Sequence, residues 1–113
     1  METKELMIGD KVMAKVLSQI PNTYVRHTWC ANDYSRDLQV KPIPLTAKIL
    51  EKNGWWYEIE DMWLHDEVSF CIEKWNGKLQ CYDISQINLD SVHPLRQTLR
   101  LCGLNDLADN FKV

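Results

Sequence analysis

Apolar and polar positions alternate early in the chain. In Lys11 to Val16, one strand face would carry Val12, Ala14 and Val16, and the other Lys11, Met13 and Lys15. Gly9-Asp10 precedes this run as a turn pair. Thr23 to Trp29 reads as a second extended piece after the breaker Pro21-Asn22, and the polar Ala31 to Asp37 as a loop. Leu38 to Lys41 alternates again before Pro42 and Pro44 force an extended exit. Three short strands with an early tight turn predict a small, bent, SH3-like sheet over residues 1–45.

The period changes at Thr46. Thr46 can cap a short helix over residues 46–54, and Asn53-Gly54 supplies a left-handed stop. Leu45 and Leu50 have the spacing of a hydrophobic staple. Trp55 to Ile59 and Met62 to His65 are strand-like, and Val68 to Ile84 reads as a hairpin about Asn76-Gly77, the preferred type I′ pair. That turn sets the register: Trp75 opposite Lys78, Glu73 opposite Gln80, Cys71 opposite Tyr82, and behind them Lys74 with Leu79, Ile72 with Cys81 and Phe70 with Asp83. Phe70, Ile72, Leu79 and Cys81 then face inward, while Cys71, Glu73, Trp75, Lys78, Gln80 and Tyr82 face outward.

Gln86 to Leu89 suggests a last strand, and Asp90 or Ser91 a cap for a helix running to Cys102. Val92, Leu95, Leu99 and Cys102 make its apolar stripe; Arg96, Gln97 and Arg100 lie off it. Gly103 ends this helix with Leu104 folding back, and Leu107 and Phe111 suit one more turn. The expectation is a single α+β domain: the strand group over 1–45, then helix, antiparallel meander and C-terminal helix over 46–113.

With 113 residues the chain has room for one core. Its 45% hydrophobic and 26% charged content excludes wholesale disorder. Sixteen acids against thirteen Lys and Arg leave a net charge of -3. That removes a whole-domain basic footprint, and it is too mild for a mimic of DNA. Met1 to Glu5 has no signal-like pattern and no run suits a membrane span, so the expectation is a cytoplasmic protein without membrane contact.

Candidate chemistry is sparse. Cys30, Cys71, Cys81 and Cys102 form no CxxC pair, and alternation sends Cys71 and Cys81 to opposite faces; buried or incidental thiols are expected rather than a metal site. His65-Asp66-Glu67 could act as an acid–base or metal corner, but a solvated turn is the simpler reading. His93 reads as a cap neighbour or surface residue. There is no Gly-rich phosphate loop and no nucleophile elbow. The expectation is a protein that is not an enzyme and needs no cofactor.

Two binding surfaces remain. Five tryptophans and four tyrosines exceed what a small core readily buries. Trp75, Tyr82, Glu73 and Lys78 with Trp56 would form a protein-docking face, and Trp75 beside Lys78 would gain a cation–π contact. The alternative is nucleic-acid binding through Lys11, Lys15, Arg26, His27 and Lys41, with Tyr24 and Trp29 nearby as platforms, although Asp33 and Asp37 adjoin them.

Three blocks occur in the order seen in a known family: Leu6 to Val12, Lys41 to Thr46 running into Ile49 to Gly54, and Val92 to Gln97 with Leu99 to Gly103. Through these the chain resembles the small uncharacterised proteins of bacteroidete genomes, prophages and phages. The resemblance implies a cytosolic protein of phage or mobile-element character and supplies no activity. Its members often carry Glu after the helix histidine and sometimes a second His, a look-alike of HExxH. Here His93-Pro94-Leu95-Arg96-Gln97 lacks both, so no protease reading follows. The context suggests host or bacterial-defence machinery as partner, an anti-CRISPR-like inhibitor being one concrete version. The Gln19 to Asp37 segment matches least.

Overall fold

The computed structural model describes residues 1–17, 23–82 and 87–113. The fold is α+β, with two antiparallel sheets and three α-helices among the described residues. The first sheet joins β1 (Lys11–Val16), β2 (Val25–Thr28) and β3 (Leu38–Pro42) in the order β2-β1-β3. Three strands alone close no barrel. The Pro21-Asn22 breaker lies outside the described residues. Val12 and Ala14 are buried, and with Leu6, Trp29 and Val40 they make a small apolar cluster behind this sheet.

The chain then enters α1 (Ala47–Lys52). The Thr46 hydroxyl accepts from the Ile49 amide at 3.3 Å, and Gly54 takes φ +86°. Both staple leucines, Leu45 and Leu50, are buried. So short a helix does not hold itself in water, and burial of Leu50 fixes it. The meander follows as β4 (Trp56–Glu58), β5 (Met62–Leu64), β6 (Ile72–Trp75) and β7 (Lys78–Cys81), hydrogen-bonded in that order. Asn88 bridges to Gln80 and the Leu89 amide donates to the Leu79 carbonyl, so residues 87–89 lie along β7. Gln86, at the start of the expected last strand, and Asp83 and Ile84, at the end of the expected hairpin, lie outside the described residues.

Helix α2 (Val92–Leu101) ends at Gly103, where the Leu104 amide donates back to the Leu99 carbonyl at 2.9 Å; α3 (Asn105–Asp109) follows. Val92, Leu95 and Leu99 join the larger core behind the meander. Cys102, expected to extend that stripe, is exposed. Arg96 and His93, expected on the solvent side, are buried. The reason is the first sheet: α2 lies between two cores and has a second, polar face to bury.

That second face carries a polar joint. Arg96 is 2% exposed and donates to Asp10 Oδ1 at 3.0 Å, to Asp109 Oδ1 at 3.1 Å and to the Ala108 carbonyl at 3.1 Å. Gln97 donates to the other Asp10 oxygen at 2.7 Å, as does the Met7 amide at 2.8 Å. Asp10 is wholly buried, and these donors hold its charge in place of water. Gly9 sits at φ +94°, and a Cβ there would stand 2.2 Å from Arg96 Nη2. The Gly9-Asp10 turn is therefore a socket for a helix that begins more than eighty residues later.

Candidate functional site

The hairpin turns at Asn76 (φ +52°) and Gly77 (φ +78°), two left-handed residues as a type I′ turn requires. Its register pairs Trp75 with Lys78, Lys74 with Leu79, Glu73 with Gln80 and Ile72 with Cys81. The Tyr82 amide extends the pairing to the Cys71 carbonyl at 2.8 Å. Across the sheet, Met62 faces Glu73 and Trp56 faces Leu64. Alternation then assembles two rows on one side of the meander. One runs Trp56, Leu64, Cys71, Tyr82; the other runs Glu58, Met62, Glu73, Gln80; Trp75 and Lys78 stand at the turn.

None of these ten side chains is buried, whereas Trp63, Ile72 and Cys81 on the reverse side belong to the core. Trp75 is 61%, Tyr82 54% and Trp56 39% exposed. Trp55, next in sequence to Trp56, is buried against Phe70 and His65. The structure thus brings Trp75, Tyr82, Glu73, Lys78 and Trp56 onto one open face. Among the described residues, ammonium–ring contacts are made by Lys15 and Lys41 with Tyr24, so the contact expected between Lys78 and Trp75 is not formed. Neither Glu58 nor Glu73 is in an ion pair among those residues; Glu58 accepts from the Trp56 indole at 3.4 Å and Glu73 accepts from Gln80.

The basic set divides. Thr28 faces Lys11, while Arg26 and Lys41 flank Met13 from either side. Lys11, Lys15, Arg26 and Lys41 therefore share one face of the first sheet. His27 faces Val12 and points to the other side, where Nε2 lies 2.6 Å from Asp33 Oδ2. Trp29, a platform only in the nucleic-acid alternative, is fully buried behind the sheet, as a core aromatic. Its ring packs edge-on with Tyr34 and His27, where no nucleobase reaches it.

Asp33 was not legible as a site residue, because its segment reads as a polar loop. Residues Ala31–Ser35 instead form a 3-10 turn that buries Asp33. Its Oδ2 accepts from His27, from the Cys30 amide at 2.8 Å and from the Cys30 thiol at 3.1 Å, and Oδ1 accepts from Arg36 at 3.2 Å. Burial works to raise this carboxyl; the His27 and Cys30 hydrogen bonds and the His27 charge prevail and hold it well below the usual carboxylate range. The acid three residues after Cys30, closing back on the Cys30 amide, is the available signal.

The other histidines serve the fold. The Glu67 amide donates to His65 Nδ1 at 3.0 Å, so Nε2 carries the proton and donates to the Asn53 carbonyl at 3.0 Å. Both ring nitrogens are committed to backbone, which leaves no lone pair for a metal or a substrate proton. His93 is buried, and burial pushes its imidazole down from the ordinary 6.5, offset only in part by the Asp10 and Glu5 carboxylates. Cys71 and Cys81 lie on opposite faces of the meander, and Cys30 and Cys102 are exposed. Among the described residues, no group of three His, Cys, Asp or Glu could hold a metal ion, and no helix is long and apolar enough to cross a membrane.

No family model, curated protein or solved structure matches the chain.

Proposed function

We propose that this protein is a non-catalytic binding module that docks a protein partner on the outer face of its meander. The observation that carries this reading is the exposure of Trp56, Tyr82 and Trp75 on one sheet face, at its two edges and at the hairpin turn. Large exposed rings spread over one face offer a partner several anchors at once. Trp and Tyr dominate interface hot spots because each buries much area for little lost side-chain entropy. Glu58 and Glu73, in no ion pair among the described residues and on the same face as the rings, fit a partner surface that offers arginine or lysine between apolar anchors. The resemblance in sequence supports a host or bacterial-defence protein as that partner, an anti-CRISPR-like inhibitor being the concrete version.

The test is affinity capture from a bacteroidete lysate, identification of the captured protein, and titration of the purified partner against variants. Trp75→Ala/Tyr82→Ala should weaken binding by at least about 30-fold, since one hot-spot ring contributes roughly 2 kcal/mol or more. Glu73→Lys should slow association with a basic partner. Unchanged affinity in the double variant would remove the face from the account.

A further inference from the structure

We infer that the outer face of the first sheet is a second, independent binding site, for the phosphate backbone of single-stranded nucleic acid. Lys11 and Lys15 on β1, Arg26 on β2 and Lys41 on β3 project from that face, and the register places no acid among them. Around them stand Met13, Thr28 and Gln39. Met13 is half-buried against the larger core, while Arg26 and Lys41 beside it are exposed. None of the four cations has a carboxylate partner among the described residues. Lys11 donates to the Thr28 hydroxyl at 2.7 Å and Arg26 to the Val113 carbonyl at 3.2 Å.

Lys15 and Lys41 share one ring. Their ammonium groups lie 4.8 Å and 4.3 Å from the centroid of Tyr24. Lys15 comes from the central strand and Lys41 from the edge strand opposite β2, so the ring that precedes β2 meets cations of both other strands. Two like charges held on one ring, with no carboxylate partner among the described residues, favour an anion beside them. The charges are spread over three strands spaced about 4.8 Å apart, which matches a chain of phosphates better than one phosphate. A base that displaces one ammonium can stack on the half-buried Tyr24 ring, giving the combination used in sequence-tolerant binding of single strands. With a net charge of -3, attraction is local to this face and strongly dependent on salt.

Fluorescence anisotropy of a labelled single-stranded oligodeoxythymidylate, measured with the whole protein between about 50 and 200 mM salt, tests the inference. Expected is binding whose log K falls against log salt with a slope of about −2 to −3, roughly 0.7 per phosphate for three or four contacts. Lys15→Glu/Lys41→Glu should abolish it, and the milder Lys41→Gln should make the slope shallower by about 0.7. Tyr24→Ala should weaken binding by about five- to 150-fold with the slope unchanged. Trp75→Ala/Tyr82→Ala should bind the oligonucleotide normally, so failure here and failure of the docking face are told apart. Any of four results overturns the inference: no binding at the lowest salt by natively folded protein, a slope untouched by Lys41→Gln, indifference to Tyr24→Ala, or tighter binding of a duplex of equal length.

Discussion

Behind the meander, fifteen buried residues from Ile43 to Phe111 form a continuous apolar core; behind the first sheet, among the described residues, there are five. The larger sheet is held by area removed from water, at about 1.5–3 kcal/mol for each fully buried Leu, Ile or Phe. The smaller sheet has less of this area to draw on, even with Met13 packed against the larger core. It is also fastened by polar joints: Asp10 to Arg96 and Gln97 on α2, and Asp33 to His27 on β2 and to Cys30 and Arg36 at the ends of its own 3-10 turn. The outer faces differ in the same sense, one bearing rings and carboxylates, the other cations. A small sheet with little apolar backing depends on directional bonds, and those bonds break when one partner is removed.

Arg96→Ala should therefore have the largest effect on stability. It strands the buried Asp10 carboxylate, and breaking a buried pair in this way costs about 3–5 kcal/mol. Urea unfolding read by tryptophan fluorescence would show the loss; a midpoint within error of wild type would mean that the polar joint does not hold the sheet. Gly9→Ala comes next, since the Cβ meets Arg96 and the backbone stands at φ +94°. Strain of this kind costs about 1–3 kcal/mol, and an unchanged midpoint would show that Arg96 yields freely.

The pH dependence sharpens the comparison with a smaller effect. The His93 imidazole is lowered in the folded state, so the unfolded chain binds more protons below the ordinary 6.5. Its share of stability is whole above that value and is lost as pH falls from there toward the folded value. His93→Leu should flatten the drop in urea midpoint between about pH 7.5 and 5. An equal drop in wild type and variant would assign the acid sensitivity to other groups. Asp33 acts in a lower window: its carboxyl is depressed from 3.8, so its contribution is present above that value and is lost in stronger acid.

Legibility followed the range of the interaction. The register about Asn76-Gly77, the cap at Thr46, the staple of Leu45 with Leu50 and the stop at Gly103 are each written within a few residues, and the structure has all four. The burial of Arg96 and His93 is not written locally, because their surroundings come from distant segments. Arg96 looks like a solvent residue on a one-sided helix until the Gly9-Asp10 turn arrives against it. Trp29 is a platform only in the nucleic-acid alternative, and the 3-10 turn and Leu6 close over it. On the docking face, the hairpin half was readable from alternation alone. The rows that continue through Leu64 and Met62 to Trp56 needed the pairing of β5 with β6, which no turn in the sequence specifies.

The most direct measurement is site-specific photo-crosslinking of the captured partner, with the reactive side chain placed in turn at positions 75, 82 and 101. Leu101 is 83% exposed and lies on α2, away from the meander's outer face. Crosslinks from positions 75 and 82 but not from 101 are the predicted result. Crosslinks from 101 alone, with none from the two ring positions, would contradict the assignment of the docking face.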